Sequence, residues 1–143
     1  MSDILVPAVP VENLRWDRGG RDPDQREGWL LPLPDQYPRN VHSEGYVTTL
    51  LVVSGPARLF GFSGYDANAS GEFVLVFDRS TLPASSANAA IVVSTGTAAG
   101  NFSWYGGTAG RWFYKGIIIV ASSTSPDYTA ASEANMQIDV QYA

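Results

Sequence analysis

From residue 136 the chain reads Met136-Gln137-Ile138-Asp139-Val140-Gln141-Tyr142, with an apolar or aromatic side chain at every second position. Side chains alternate between the two faces of a β-strand, so this pattern predicts a strand with one buried and one wet face. Further upstream, Phe73-Val74-Leu75-Val76-Phe77 is a short continuous apolar run, which is typical of a strand covered on both faces. Both stretches indicate β-structure around a packed core.

The chain after Gly45 continues in the same way, with apolar and β-branched runs separated by turns of Gly, Pro, Ser and Thr. Ser63–Gly71 is predicted as a turn, and Thr129–Asn135 as one short helix. Seven or eight strands joined by such turns predict an all-β fold, a β-sandwich of jelly-roll or immunoglobulin-like type. The other predicted strands are Tyr46–Val53, Ala57–Phe62, Ala90–Val93, Asn101–Tyr105 and Arg111–Ala121.

Composition divides the chain into an N-terminal arm, residues 1–45, and a β-sandwich domain, residues 46–143. The arm holds six of the nine prolines and 13 of the 23 charged side chains. Proline removes a backbone donor and favours extended neighbours, so the arm is predicted to run extended along a surface. A solvated tail would not need its apolar residues. We expect the arm to pack partly on its own domain and partly on a neighbour, with packing wholly on its own domain as the alternative. The predicted partner-binding residues are Trp16, Trp29, Leu30, Leu31 and Leu33.

No residue pattern in the sequence points to catalysis. The single histidine, His42, lies in a polar junction, and there is no cysteine, whereas nucleophilic triads and zinc or copper sites need histidines or thiolates in combination. No spacing singles out a carboxylate pair, and Gly106–Gly110 lacks the lysine of a phosphate-binding loop. We therefore expect a protein that is not an enzyme, with no catalytic, cofactor or metal site.

One motif resembles half of a calcium-binding loop. Asp66-Ala67-Asn68-Ala69-Ser70-Gly71 matches the start of an EF-hand loop, but Phe77 stands where the twelfth position must supply a carboxylate. We interpret the motif as a turn in which Asp and Asn side chains bond to their own backbone.

Charge and hydropathy limit the partners. The net charge is −5 and Lys115 is the only lysine, which argues against nucleic acid, since the phosphate backbone is bound by clustered Lys and Arg. The sequence contains no run of eighteen apolar residues, so no membrane span is predicted. The N-terminus does not resemble a secretory signal, so we expect synthesis in a cytoplasm.

Aromatic residues near two glycines are the remaining candidates for binding. Trp104 and Tyr105 precede Gly106-Gly107 and are candidates for an exposed platform that contacts a glycan or another surface, with packing inside the domain as the alternative. Trp112 and Phe113 lead into an apolar run and are expected in the core. A carbohydrate-binding module is therefore one alternative function.

Several stretches resemble a pattern found in virion proteins of tailed bacteriophages, in which a strand ends in Phe-Asp and a short turn leads to Leu-Pro. The matching stretches are distributed over residues 56–143. They are Phe73–Pro83, Asn101-Phe102-Ser103, Gly110–Ile117, Ala121–Ser125 and Gln137–Tyr142.

The resemblance implies a structural protein of the phage particle. The favoured type is a capsid decoration (cement) protein bound to the major capsid protein lattice. Such proteins are often small β-domains and frequently trimers. The resemblance therefore implies a homo-oligomer, with a trimer favoured, on the capsid surface of a virion assembled in the host cytoplasm. A tail, baseplate or fibre component is the alternative within this class.

Overall fold

The computed structural model describes residues 38–143 and, before them, the backbone of two short strands. These strands, β1 (Arg15–Asp17) and β2 (Arg21–Asp22), pair in parallel. Residues Pro38–Ala143 form a compact unit of their own. Among the predicted partner-binding residues, Trp29, Leu30, Leu31 and Leu33 lie outside the described residues, and for Trp16 only the backbone, in β1, is described.

Residues 38–143 contain nine strands and no helix, hence no helix that is long and apolar enough to cross a membrane. The strands are β3 (Arg39–His42), β4 (Thr49–Ser54), β5 (Ala57–Asp66), β6 (Phe73–Phe77), β7 (Ile91–Ser94), β8 (Gly100–Tyr105), β9 (Arg111–Phe113), β10 (Gly116–Ser122) and β11 (Met136–Tyr142).

The strands form two antiparallel sheets. In the five-stranded sheet, β11 lies between β3 and β5, and the other edge of β5 pairs with β9 near its start and with β8 further along. The four-stranded sheet has the order β4-β10-β6-β7. The predicted all-β sandwich is confirmed.

The core between the sheets is formed by the alternating residues of each strand. Met136, Ile138 and Val140 of β11 are buried, as the alternation predicts. They pack in one cluster with Leu59 and Phe62 of β5 and with residues of β6 and β10. The phenylalanines at 102 and 113 complete this cluster from β8 and β9.

The centre of the outer face of the four-stranded sheet, on β6 and β10, is also buried by residues of the same chain, while apolar side chains of the edge strands β4 and β7 on that face are exposed. Leu75 and Phe77 of β6 and Ile118 and Val120 of β10 form a second cluster there with Tyr128. Tyr128 packs edge to face on Phe77 at 6.0 Å, and burial raises its pKa. Apolarity on both faces of β6 and β10 is therefore explained without a second copy of the protein.

The predicted strand Arg111–Ala121 is two strands that belong to different sheets. β9 pairs with β5, whereas β10 pairs with β4 and β6. The chain crosses between the sheets at Tyr114 and Lys115, next to Gly116, where an added Cβ would lie 2.8 Å from the carbonyl oxygens of Val53 and Arg79. Only a residue without a Cβ fits this close approach.

Three further predictions differ from the structure. Residues 63–66 continue strand β5 instead of turning. Thr129–Asn135 is not a helix: Ala131 N donates to Ala121 O, and Ser123 N to Thr129 O, so pairing with β10 prevails over helix propensity. The polar stretch Arg39–His42 forms strand β3 along β11, so the compact domain begins at Pro38 rather than at the predicted residue 46.

Candidate functional site

The two aromatic residues expected to share a platform point to opposite faces of β8. Trp104 is half-buried and stacks on Phe62 of the core, with ring centroids 5.9 Å apart. Tyr105 is 74% exposed on the outer face of the five-stranded sheet. Adjacent residues of a strand alternate in direction. Of Trp104 and Tyr105, therefore, only Tyr105 is available to a ligand on that face.

An exposed aromatic cluster lies where β9 pairs with β5, and we define it as Arg58, Trp112 and Tyr114. Trp112, expected in the core, is 44% exposed because its neighbour Phe113 takes the inward position. Arg58, opposite Trp112 in the sheet, places its guanidinium carbon 5.9 Å from the centre of the Trp112 ring. Tyr114 packs edge to face on the same ring at 6.0 Å.

The backbone beside this aromatic cluster is held by Asp78, which follows β6. The carboxylate of Asp78 accepts hydrogen bonds from Tyr114 N at 3.1 Å and Lys115 N at 2.7 Å. Burial acts to raise the pKa of Asp78, but the backbone hydrogen bonds from the Tyr114–Gly116 segment and the charge of Lys115 together lower it. Asp78 therefore stays ionised and fixes the segment that carries Tyr114.

A buried polar clamp, which we define as Asp66, Glu72 and Thr95, joins the two sheets. Asp66 ends β5, Glu72 precedes β6 and Thr95 follows β7. Thr95 Oγ1 donates to Asp66 Oδ2 at 2.6 Å and accepts from Glu72 N at 2.8 Å. Asp66 is fully buried and Glu72 is 4% exposed, although Glu72 also contributes to the lining of the neighbouring cleft.

Of the two carboxyl groups of the polar clamp, Asp66 has a donor on each oxygen, whereas Glu72 does not. Glu72 Oε1 accepts from Asn68 Nδ2 at 3.3 Å, but Oε2 is buried with no donor among the described residues. Burial, followed by the hydrogen bond and the negative charge of Asp66, raises the pKa of Glu72 to about 7, against the opposing hydrogen bond from Asn68. When Glu72 is protonated, its carboxyl group can itself donate a hydrogen bond, which relieves this shortage.

The half-loop that resembles a calcium site is a turn, as predicted. Asn68 N donates to Asp66 Oδ1, and Ser70 N donates to Asn68 Oδ1, both at 2.9 Å. Within residues 38–143, no three His, Asp or Glu side chains come together as metal ligands.

Sequence reasoning missed the aromatic cluster and the polar clamp. Strict alternation around Phe113 could have indicated that Trp112 faces outward. The clamp joins residues that are 23 and 29 positions apart in the sequence, so it leaves no local pattern.

Compared with protein-family models, with curated proteins and with solved structures, the chain shows no match.

Proposed function

We propose that the protein is a structural component of a tailed-bacteriophage virion, which binds the major capsid protein lattice and decorates and stabilises the capsid. The observation that carries the proposal is the exposed aromatic cluster of Arg58, Trp112 and Tyr114. Trp, Tyr and Arg dominate binding energy at protein interfaces. The sequence resemblance of stretches within residues 73–142 is the reason for proposing a tailed-bacteriophage particle as the partner.

The aromatic cluster suits docking because its residues are already positioned before a partner binds. Arg58 and Trp112 face each other across paired strands, and Asp78 holds the backbone at Tyr114. Side chains that are fixed in advance lose less conformational freedom on association. Exclusion of water by a partner also strengthens the attraction between the Arg58 guanidinium and the Trp112 ring.

In this proposal the arm reaches neighbouring capsid subunits. Fully extended at about 3.3 Å per residue, 45 residues would span up to about 150 Å. Trp16, Trp29, Leu30, Leu31 and Leu33 would be its anchors. Further copies of the protein are proposed as partners, with a trimer favoured, and these copies would meet away from the centre of the outer face of the four-stranded sheet, which Tyr128 of the same chain covers.

Co-sedimentation of the full-length protein with undecorated capsids, and separately with purified tails, tests the proposal. We expect saturable binding to capsids, with light scattering giving the number of copies that associate in solution. Binding to tails alone would favour the alternative, a tail, baseplate or fibre component, and binding to neither particle would contradict both.

A further inference from the structure

The outer face of the five-stranded sheet carries ordered rows of polar side chains. Asp139 of β11 lies opposite His42 of β3 on one side and opposite Ser63 of β5 on the other, and Ser63 lies opposite Ser103 of β8. Residues directly opposite in antiparallel strands point to the same face, so these four side chains form one row. Across four strands spaced about 4.8 Å apart, the row is about 14 Å long.

Two tyrosines flank this polar row on the same face. Tyr65 lies two residues beyond Ser63 along β5, and Tyr105 lies two residues beyond Ser103 along β8. Tyr105 is opposite Gly61, and a Cβ added at Gly61 would lie 3.8 Å from the Tyr105 ring. The Tyr105 ring therefore lies beside a position without a side chain, and 74% of the residue is open to solvent.

The face also contains a shallow depression that is open to ligands. It has a volume of about 560 Å³ and is lined by His42, Ser63, Tyr65, Gln137 and Asp139 among others, which is within the size range of small-ligand sites. His42, Ser63, Tyr65 and Gln137 are exposed there, whereas the centre of the outer face of the other sheet is buried.

The chemistry of the face selects one class of ligand. The row offers hydroxyl, imidazole and carboxylate groups, and it contains no lysine or arginine to bind a phosphate or an acidic sugar. It has no aliphatic side chain that could hold an apolar peptide. Hydroxyl-rich neutral ligands match such a set, because each sugar hydroxyl both donates and accepts, while the tyrosine rings pack against the C–H faces of the sugar.

We propose that this polar face binds a neutral oligosaccharide. Tyr65 and Tyr105 stack on sugar rings, and Asp139, Ser63 and His42 hydrogen-bond to hydroxyl groups between them. The site is independent of capsid attachment, which we assign to Arg58, Trp112 and Tyr114.

The test applies the full-length protein to an array of neutral and sialylated oligosaccharides, followed by calorimetric titration with the best neutral binder. We expect Tyr105→Ala and Asp139→Ala each to weaken binding at least tenfold. Tyr114→Ala is the matched control, since Tyr114 is 72% exposed but lies outside the row, and it should leave glycan affinity unchanged.

Absence of binding to every neutral oligosaccharide, including the case in which the arm covers the face, would overturn the proposal. So would equal losses for Tyr105→Ala and Tyr114→Ala. Circular dichroism of each variant separates a lost contact from a lost fold. Because capsid co-sedimentation is measured separately, failure of glycan binding leaves the virion proposal standing, and the reverse also holds.

Discussion

Thr95 Oγ1 lies 2.6 Å from Asp66 Oδ2, and this hydrogen bond ties the end of β7 in one sheet to the end of β5 in the other. Glu72 completes the polar clamp from the start of β6, with one carboxyl oxygen that has no donor among the described residues unless a proton is present. Because burial and Asp66 raise the pKa of Glu72, the stability of the domain is expected to depend on pH.

We expect stability to fall between pH 5 and pH 8. In the folded protein the pKa of Glu72 is raised from 4.5 to about 7, so the folded state holds a proton that the unfolded state releases, and the stabilisation is lost as pH rises through this window. At 1.36 kcal/mol per pKa unit the loss is at most about 3 kcal/mol. Urea unfolding at pH 5 and pH 8 measures it.

Two variants serve as comparisons for this pH dependence. Glu72→Gln carries an amide that donates permanently, so its unfolding free energy should change little over the same interval. Glu133→Gln removes a carboxylate that is exposed in the cleft beside the clamp, and should keep the wild-type slope. A wild-type protein equally stable at pH 5 and pH 8 would show that no proton is held there.

Trp112→Ala should weaken capsid binding by about 30-fold, since truncation of an interface anchor costs about 2 kcal/mol or more. Tyr105→Ala, at a tyrosine that is 74% exposed and lies outside the aromatic cluster, should keep the wild-type affinity. Co-sedimentation titrations of both variants against undecorated capsids provide the comparison. Equal affinities for wild type and Trp112→Ala would place the contact elsewhere.

Two truncations locate the start of the domain. Removal of residues 1–37 should leave the sandwich folded, because all pairings among strands β3 to β11 lie in residues 38–143. The same truncation should weaken capsid attachment. Removal of residues 1–45 also deletes β3, which bares the edge of β11 and takes Val41 from the core. Thermal unfolding should show a markedly lower midpoint for the second truncation only, and similar midpoints would mean that β3 is dispensable.

Gly116→Ala should destabilise the domain by about 1–3 kcal/mol, because the new methyl group meets two backbone carbonyl oxygens at 2.8 Å. Gly100→Ala is the control: the nearest atom to its added Cβ is 3.9 Å away, so its change should stay within about 0.5 kcal/mol. Chemical unfolding of both variants measures the difference. A neutral Gly116→Ala would show that the crossing between sheets relaxes easily.

Sequence patterns predicted the strands in which apolar residues alternate or run continuously. They did not predict the features that depend on contacts between residues far apart in the sequence. Met136–Tyr142 and Phe73–Phe77 were predicted with their observed bounds, because alternation and continuous apolarity reflect burial directly. The break between β9 and β10 could not be predicted, since Asp78, 36 residues away from Tyr114, holds the chain there. Strand β3 was missed because Val41 is the only apolar residue of Arg39–His42.

The position of β11 between β3 and β5 determines when this sheet can form during synthesis. Asn40 Nδ2 bonds to Val140 O, 100 residues further along the chain, and β3 pairs with β11 along its length. At about 5–20 residues per second, a ribosome needs about 5–20 s to make those 100 residues. During that interval the nascent chain carries an unpaired β3, and the edge of β5 that will receive β11 is available to chaperones or to other nascent chains.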